Sequence, residues 1–193
     1  MLDKINKYKI ILGSNSPRRK EILLKMGINF IVRSYNDDEK VPKKIIAKDH
    51  CTFLAKKKSD ALKKQLNENE ILITADTTVV IDNIVLNKPK DAQNACEMLR
   101  KISGKEHLVI TGVCLANNSK QFIFSEKTQV KFQKLNEKEI QYYIKKHQPF
   151  DKAGSYGIQE WIGLIGVESI DGSYTNVVGL PSSRLYNELN KFI

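Results

Sequence analysis

The stretch Ile10-Ile-Leu-Gly-Ser-Asn-Ser-Pro-Arg-Arg-Lys-Glu-Ile-Leu23 does most to limit what this chain can fold into. Tyr8 to Leu12 is a short apolar run of the buried-strand kind. Gly13-Ser14-Asn15 is a small, polar turn, and Ser16-Pro17 is a good helix start. Serine suits the N-cap, and proline suits the first helical position, where its missing N–H costs nothing. Ile22, Leu23 and Met26 give the helix an apolar side, and Gly27 ends it. A strand that feeds a helix through a small-residue turn points several N–H groups one way. That is an anion site, strengthened by the helix dipole. Arg18 and Arg19 stand in the first turn, where the dipole disfavours cations. An anionic ligand would explain them, and so would carboxylate partners elsewhere on the surface. The spacing is not that of a P-loop.

A chain of 193 residues suffices for one domain with a real core, and two small lobes around a central cleft are compatible with that length. No apolar run approaches the roughly eighteen residues of a membrane span, and no signal-peptide pattern opens the chain. The expectation is a cytoplasmic protein without a membrane partner. Cys51, Cys96 and Cys114 are too widely spaced for a zinc site or a disulfide framework and read as packing residues. The net charge of +10 permits a polyanionic partner. The lysines are scattered, however, and no nucleic-acid module signature is present, so no stable nucleic-acid partner is expected.

Further along, Ile28 to Val32 reads as a strand, and Asp37, Asp38 and Glu39 stand in a polar loop. Such a run either holds a hard cation through oxygen ligands or is simply solvated. Lys44 to Leu66 reads as one long helix whose inward stripe is Ala47, Cys51, Leu54, Lys58 and Leu62. Lys58 therefore lies on the buried side, where it either snorkels to the edge or points its ammonium into a cleft. Asp76 interrupts the apolar segment Ile71 to Ile81. A carboxylate there must be partly buried, which is costly unless it is paired or bound to a metal, and such carboxylates are functional-site candidates. Asp82-Asn83 is a hairpin turn, and Pro89 stiffens the loop carrying Lys88.

Asp91 opens a helix that ends at Gly104. Leu108 to Ala116 and Phe122 to Phe132 form a longer hairpin, and Asn136 with Glu139 resembles a capping box. Asp151 to Glu160 is a loop whose glycines suit close backbone approach to a ligand. Trp161 to Ile170 reads as a strand interrupted by Gly163 and Gly166, Asn176 to Pro181 as a loop, and Ser182 to Ile193 as the closing helix. Strands mixed with helices, some as hairpins, predict an α/β fold with a mixed sheet flanked by helices.

Arg18, Arg19, Lys58, Lys88 and Lys152 are five cations in loops or on an inward face. Asp76 is a candidate base, and Asp38 and Glu39 are candidate metal anchors. Cations around a metal suit triphosphate chemistry, since they hold the chain and stabilise charge on the transferring phosphorus.

The run Ser14-Asn-Ser-Pro-Arg-Arg-Lys-Glu-Ile-Leu23 resembles the N-terminal signature of the Maf family of nucleotide pyrophosphatases. The resemblance continues through Leu54-Ala-Lys-Lys-Lys58, Ala75-Asp-Thr-Thr-Val-Val80, Asn87-Lys-Pro89 and Leu99-Arg-Lys-Ile-Ser-Gly104. It ends with Asp151-Lys-Ala-Gly-Ser-Tyr-Gly-Ile-Gln159 and Asn176-Val-Val-Gly-Leu-Pro181, so it spans nearly the whole chain in order.

The resemblance implies an elongated α/β fold like that of inosine-triphosphate pyrophosphatases, often dimeric. It implies hydrolysis of a nucleoside triphosphate to the monophosphate and pyrophosphate with a divalent cation, Mg²⁺ or Mn²⁺. It makes Asp76 the proton acceptor and, with Glu39, a metal ligand. Phosphate contacts fall to Ser14, Ser16, Arg18, Arg19, Lys58, Lys88 and Lys152. Arg18, Thr77 and Gln159 match the positions tied to base choice, and the Tyr-Gly-Ile-Gln form marks the branch acting on dTTP and UTP rather than on 7-methyl-GTP. There are departures. Gln148 stands where the family has glutamate, Glu160-Trp161 follows Gln159 where glycine is common, and Gly13 replaces alanine, a mild change on this reading. The competing expectation is a nucleic-acid-binding or septum-formation regulatory protein without turnover.

Overall fold

The computed structural model describes residues 2–35 and 40–193. The elements run α1 (Leu2–Ile5), β1 (Lys9–Leu12), α2 (Pro17–Lys25), β2 (Phe30–Val32), α3 (His50–Lys63), β3 (Glu70–Ile81), β4 (Ile84–Leu86) and α4 (Ala92–Ile102). They continue with β5 (Glu106–Ala116), β6 (Gln121–Phe132), α5 (Glu137–His147), α6 (Trp161–Gly166), β7 (Val167–Asp171), α7 (Tyr174–Val178) and α8 (Ser182–Phe192). Short 3₁₀ turns stand at Ala47–Asp49 and Ala153–Ser155. The strands form one sheet in the order β2-β1-β3-β5-β6-β7, with β4 on β3. β1 is parallel to β2 and β3, whereas β4 on β3 and β7 on β6 are antiparallel, so the sheet is mixed as expected.

Contacts divide the chain into two compact units. One comprises Met1–Asp76, Thr111–Glu126 and Gly179–Ile193, the other Thr77–Ile110 and Lys127–Val178. In the first unit α2 starts at Pro17 and ends before Gly27, whose φ of 71° suits glycine. The Ser16 hydroxyl makes no capping bond, however. The helix expected from Lys44 begins only at His50. Ile46 is extended, and the intervening residues make a 3₁₀ turn. Ile11, Leu62, Leu66, Leu72 and Ala116 form an apolar cluster between α3 and the sheet. At Gly112 an added Cβ would stand 2.5 Å from the Thr52 amide nitrogen, so α3 seats directly on the backbone of β5.

The second unit has an apolar cluster that includes Val79, Leu99, Phe132, Tyr143, Tyr156 and Ile162. Asp82 and Asn83 both adopt positive φ, the geometry of a tight hairpin. Asp91 caps α4 through the Asn94 amide, and the capping box of α5 is complete. Two expectations need correction. Trp161 to Ile170 is not one strand but the helix α6 followed by β7. An added Cβ at Gly163 would stand 1.9 Å from the Ile158 carbonyl oxygen, and that close approach fixes the segment's path against the preceding turn. Residues 174–178, partly expected as loop, form the short helix α7. Asn176 within it is fully buried, donating to the Val109 carbonyl and to Thr128. The cysteines are unpaired packing residues, buried at 51 and 114 and half-buried at 96. No helix among the described residues is long and apolar enough to cross a membrane.

Each unit buries a group whose proton affinity folding lowers. In the first, Glu70 is 2% exposed and accepts from both terminal nitrogens of Arg33 and from the Asn67 amide. Burial pushes its carboxyl up, but the Asn67 and Arg33 bonds outweigh that and hold it at about 2, below the ordinary 4.5. In the second, His107 is buried beneath Phe132 and Tyr156, and burial pushes it down from 6.5 to about 4. Both groups bind a proton less readily folded than unfolded, so both lose stability as pH falls. The His107 contribution fades from 6.5 towards about 4, and that of Glu70 from 4.5 towards about 2. Urea midpoints measured against pH should therefore fall in two steps, and His107→Gln should flatten the curve between 6.5 and 4.5 while leaving the lower step in place.

Candidate active site

The first unit builds its part of the site as rungs between a strand and a helix. Side chains two apart on β3 share a face, as do side chains three or four apart on α3. Leu72, Thr74 and Asp76 are such a set, and so are Leu62, Ala55 and Lys58 with Cys51. Leu72 and Leu62 belong to one apolar cluster, and the Thr74 hydroxyl donates to the Ala55 carbonyl at 2.7 Å. Lys58 Nζ meets Asp76 Oδ1 at 2.7 Å, both side chains being 13% exposed. Asp76, the polar break in the segment Ile71 to Ile81, does not end the strand, so the carboxylate projects from the middle of a twelve-residue strand. Burial, and after it the Asp76 charge, pushes the Cys51 thiol up to about 12, which makes it a packing group and not a nucleophile.

The β1–α2 turn is fastened to the same strand. The Gly13 amide donates to the Ile73 carbonyl at 2.8 Å. An added Cβ at Gly13 would come within 2.5 Å of the Thr74 methyl and 2.9 Å of a Leu62 methyl. Alanine there would strain the stiff Thr74 side chain, so glycine at this position is a packing requirement in this chain, a correction to its reading as a mild change. Ser14 Oγ accepts from the Ser16 amide at 3.3 Å and from Arg19 at 3.2 Å, while Arg19 Nε donates to the Gly179 carbonyl at 2.9 Å. Arg19 thus spends part of its fork on the scaffold, on the Ser14 hydroxyl and the Gly179 carbonyl. Arg18 stands in the first turn of α2, half-buried.

The second unit holds Thr77, Lys88, Lys152 and Gln159. Thr77 is the half-buried residue next along β3. Lys88 is exposed in the segment after β4, and that segment is joined to the 151–160 loop by the Gly154 amide, which donates to the Asn87 carbonyl at 3.3 Å. Gly154 has φ 72°, and an added Cβ would press on Val79 at 3.1 Å, so this loop lies flat on β3. Lys152 is 9% exposed. Its ammonium meets Asp151 at 2.7 Å and Glu160 at 3.1 Å. Glu160 also accepts from the Tyr143 hydroxyl, which in turn accepts the Gly157 amide at 3.0 Å. Gln159 is exposed at the tip of the turn.

Within the first unit Ser14, Ser16 and Arg19 gather around one turn, and Lys58 and Asp76 form a pair. Within the second, Lys152 and the Gln159 turn share Glu160. Tyr143, Thr74 and Glu160 were not singled out as site residues from sequence. Only Thr74 had a readable signal, its two-residue offset from Asp76. Glu39, with Asp37 and Asp38, lies outside the described residues. Among the described residues no three metal-ligating side chains cluster, and Asp76 is the one site carboxylate of the first unit. Lys58 takes Oδ1 and leaves Oδ2. A single carboxylate oxygen suits a hydrated Mg²⁺ or Mn²⁺ that arrives on phosphate oxygens, since Mg²⁺ keeps several waters and binds through one or two carboxylates plus phosphates.

The family described as Maf-like protein matches residues 9–192. The chain is 48% identical to a Bacteroides thetaiotaomicron protein named dTTP/UTP pyrophosphatase, over 99% of this chain and 100% of that one. It is 50% identical to the Phocaeicola vulgatus protein of the same name over the same shares, and 48% identical to that of Flavobacterium psychrophilum over 95% of this chain and 94% of the other. Among solved structures, the Staphylococcus aureus Ham1 protein aligns over 64% of this chain and 71% of its own, at 14% identity and a TM-score of 0.44.

The Lys58–Asp76 pair is testable apart from any reaction. Removing one partner of a largely buried pair leaves an uncompensated charge, whereas removing both is often nearly neutral. Lys58→Met should cost about 2 kcal/mol. Lys58→Met combined with Asp76→Asn should recover more than half of that loss in urea unfolding.

Proposed function

Because this chain belongs to the Maf family, we propose that it is a nucleoside triphosphate pyrophosphatase that hydrolyses dTTP and UTP to the monophosphate and pyrophosphate. The observation that carries the reading is Asp76, a carboxylate set in the interior of β3 and held through one oxygen by Lys58. Burying that ion pair is a poor route to stability, and a carboxylate fixed in one rotamer with its other oxygen open is what a general base needs.

In the proposed reaction a water attacks the α-phosphorus in line. The new P–O bond forms as the bond from the α-phosphorus to the oxygen it shares with the β-phosphorus breaks. That electron pair leaves on pyrophosphate, and the water's proton goes to Asp76, directly or by way of a water that Asp76 would hold. Arg18, Arg19, Lys58, Lys88 and Lys152 neutralise the phosphates. The turn at Ser14 and Ser16, opening onto the N-terminus of α2, receives one of them. Asp76 and Glu39 are the carboxylates that would hold a divalent cation, which when bound neutralises charge on the phosphates.

Thr77 and Gln159, with Arg18, face the choice of base. The Gln159 amide offers a donor and an acceptor together, matching the O4 and N3–H of uracil or thymine, whereas cytosine presents the reverse order. The enzymatic names of the full-length relatives favour turnover over the nucleic-acid or septum reading. The proposed protein is cytoplasmic, where its nucleotides are, and homodimeric, a state that light scattering checks directly.

The test is pyrophosphate release from dTTP, UTP, CTP, 7-methyl-GTP and ITP with Mg²⁺ or Mn²⁺. Turnover should centre on dTTP and UTP, and Asp76→Asn should lower kcat about a thousandfold while leaving the protein folded. Full activity in that variant would remove Asp76 as base. Preference for ITP or 7-methyl-GTP would overturn the assignment of Gln159.

A further inference from the structure

Gln159 poses a problem that its own side chain does not solve. It is exposed, and its amide makes no hydrogen bond among the described residues. An amide rotates, so donor and acceptor order discriminates between bases only if the backbone beneath it is held still. The structure supplies that hold. The Glu160 amide donates to the Gly157 carbonyl at 3.0 Å, closing a four-residue turn with Ile158 and Gln159 at its tip. Both ends of the turn are then joined a second time. The Gly157 amide donates to the Tyr143 hydroxyl, and that hydroxyl donates to the Glu160 carboxylate. An added Cβ at Gly157 would come within 2.8 Å of Glu160 Cδ, so the carboxylate lies folded against the turn's own backbone. The Tyr143 ring is itself held, stacked on His147 with 5.0 Å between centroids.

The other oxygen of Glu160 meets Lys152 Nζ, one of the cations assigned above to the phosphates, at 3.1 Å. An ammonium has three donors. Asp151 and Glu160 take two and so fix where the ammonium stands.

We infer that Glu160 and Tyr143 are positioning residues. The Glu160 carboxylate holds Lys152 with one oxygen and, through the Tyr143 hydroxyl, holds the turn that presents Gln159 with the other. Reading of the base and grip on the phosphates therefore depend on a single side chain. The inference rests on the reading of this chain as a dTTP/UTP pyrophosphatase, and its test is arranged so that the two fail separately.

Three variants separate the two arms. Tyr143→Phe removes the bridge to Gly157 and keeps the Glu160–Lys152 pair. Glu160→Gln keeps an acceptor for Tyr143 and removes the charge beside Lys152. Glu160→Ala removes both. For the full-length protein, Tyr143→Phe should lower the kcat/KM ratio of dTTP to CTP about tenfold. Glu160→Gln should keep that ratio and lower kcat for dTTP and UTP alike by about tenfold. Glu160→Ala should show both losses, so that glutamine rescues selectivity but not rate. Two readouts need no turnover. The Gly157 amide should exchange with deuterium faster in Tyr143→Phe and Glu160→Ala but not in Glu160→Gln, and calorimetry with the α,β-imido analogues of dTTP and CTP should show the same order of lost discrimination. Unchanged Gly157 exchange and unchanged analogue discrimination in Tyr143→Phe would overturn the inference. An inactive wild-type protein would overturn the proposed function instead, leaving exchange and analogue binding to decide the positioning role.

Discussion

The first unit is arranged around the need to bury a carboxylate in the middle of a long strand. Asp76 is largely buried, so a cation has to be brought to it with the reach and angle of a hydrogen bond. Lys58 provides it, and only because α3 lies over β3 in a fixed register. That register is set by neighbours which do no chemistry. Thr74, two residues before Asp76, bonds the Ala55 carbonyl, Leu72 and Leu62 belong to one apolar cluster, and Gly112 lets α3 settle onto β5 without a side chain between them. The same Thr74 fills the space that a side chain at position 13 would take, so the turn leading into α2 shares its support with the candidate base.

Much of this was readable from residue order, because it depends on periodicity. Asp76 stands out as a polar break in an apolar run, and the stripe on α3 carries Lys58 inward. Pro17 and Gly27 bracket α2 for reasons that belong to single residues. Failures came where a contact between distant residues outweighs local preference. Trp161 to Gly166 is rich in residues that suit a strand, yet it is a helix whose Gly163 lies against the Ile158 carbonyl. Residues 174–178 look like a loop until Asn176 finds Val109 and Thr128, each tens of residues away. No periodic rule announces that Tyr143, on the inward face of α5, will be the acceptor for the Gly157 amide.

The two units solve the same problem, an ionisable side chain held in place, by different means. In the first, one strong contact aligns one carboxylate on a stiff strand, and the surrounding side chains are apolar or hydroxyl-bearing. In the second, the residues to be held sit on a turn, which has no ladder of backbone bonds to stiffen it. Stiffness there has to come from side chains, and the turn at 157–160 has a hydroxyl and a carboxylate folded back upon it together with the close contact at Gly163. Loops carry recognition because they tolerate irregular geometry, and the same irregularity makes their order depend on a few specific bonds.

That difference bears on how the two parts of the chemistry tolerate change. A base on the middle of a strand shares its position with the whole sheet, so local substitutions around it chiefly alter stability. A turn braced through one glutamate concentrates its order in a few bonds, so one substitution there loosens the turn with little effect on the core beneath. Tyr156 shows the boundary between these regimes. It is buried, and its hydroxyl meets His107 at 2.7 Å, so it anchors the turn's entry as part of the core. Three residues later Gln159 is exposed. Over that short distance the backbone passes from positions fixed by packing to an exposed tip whose order leans on the hydrogen bonds at the two ends of the turn.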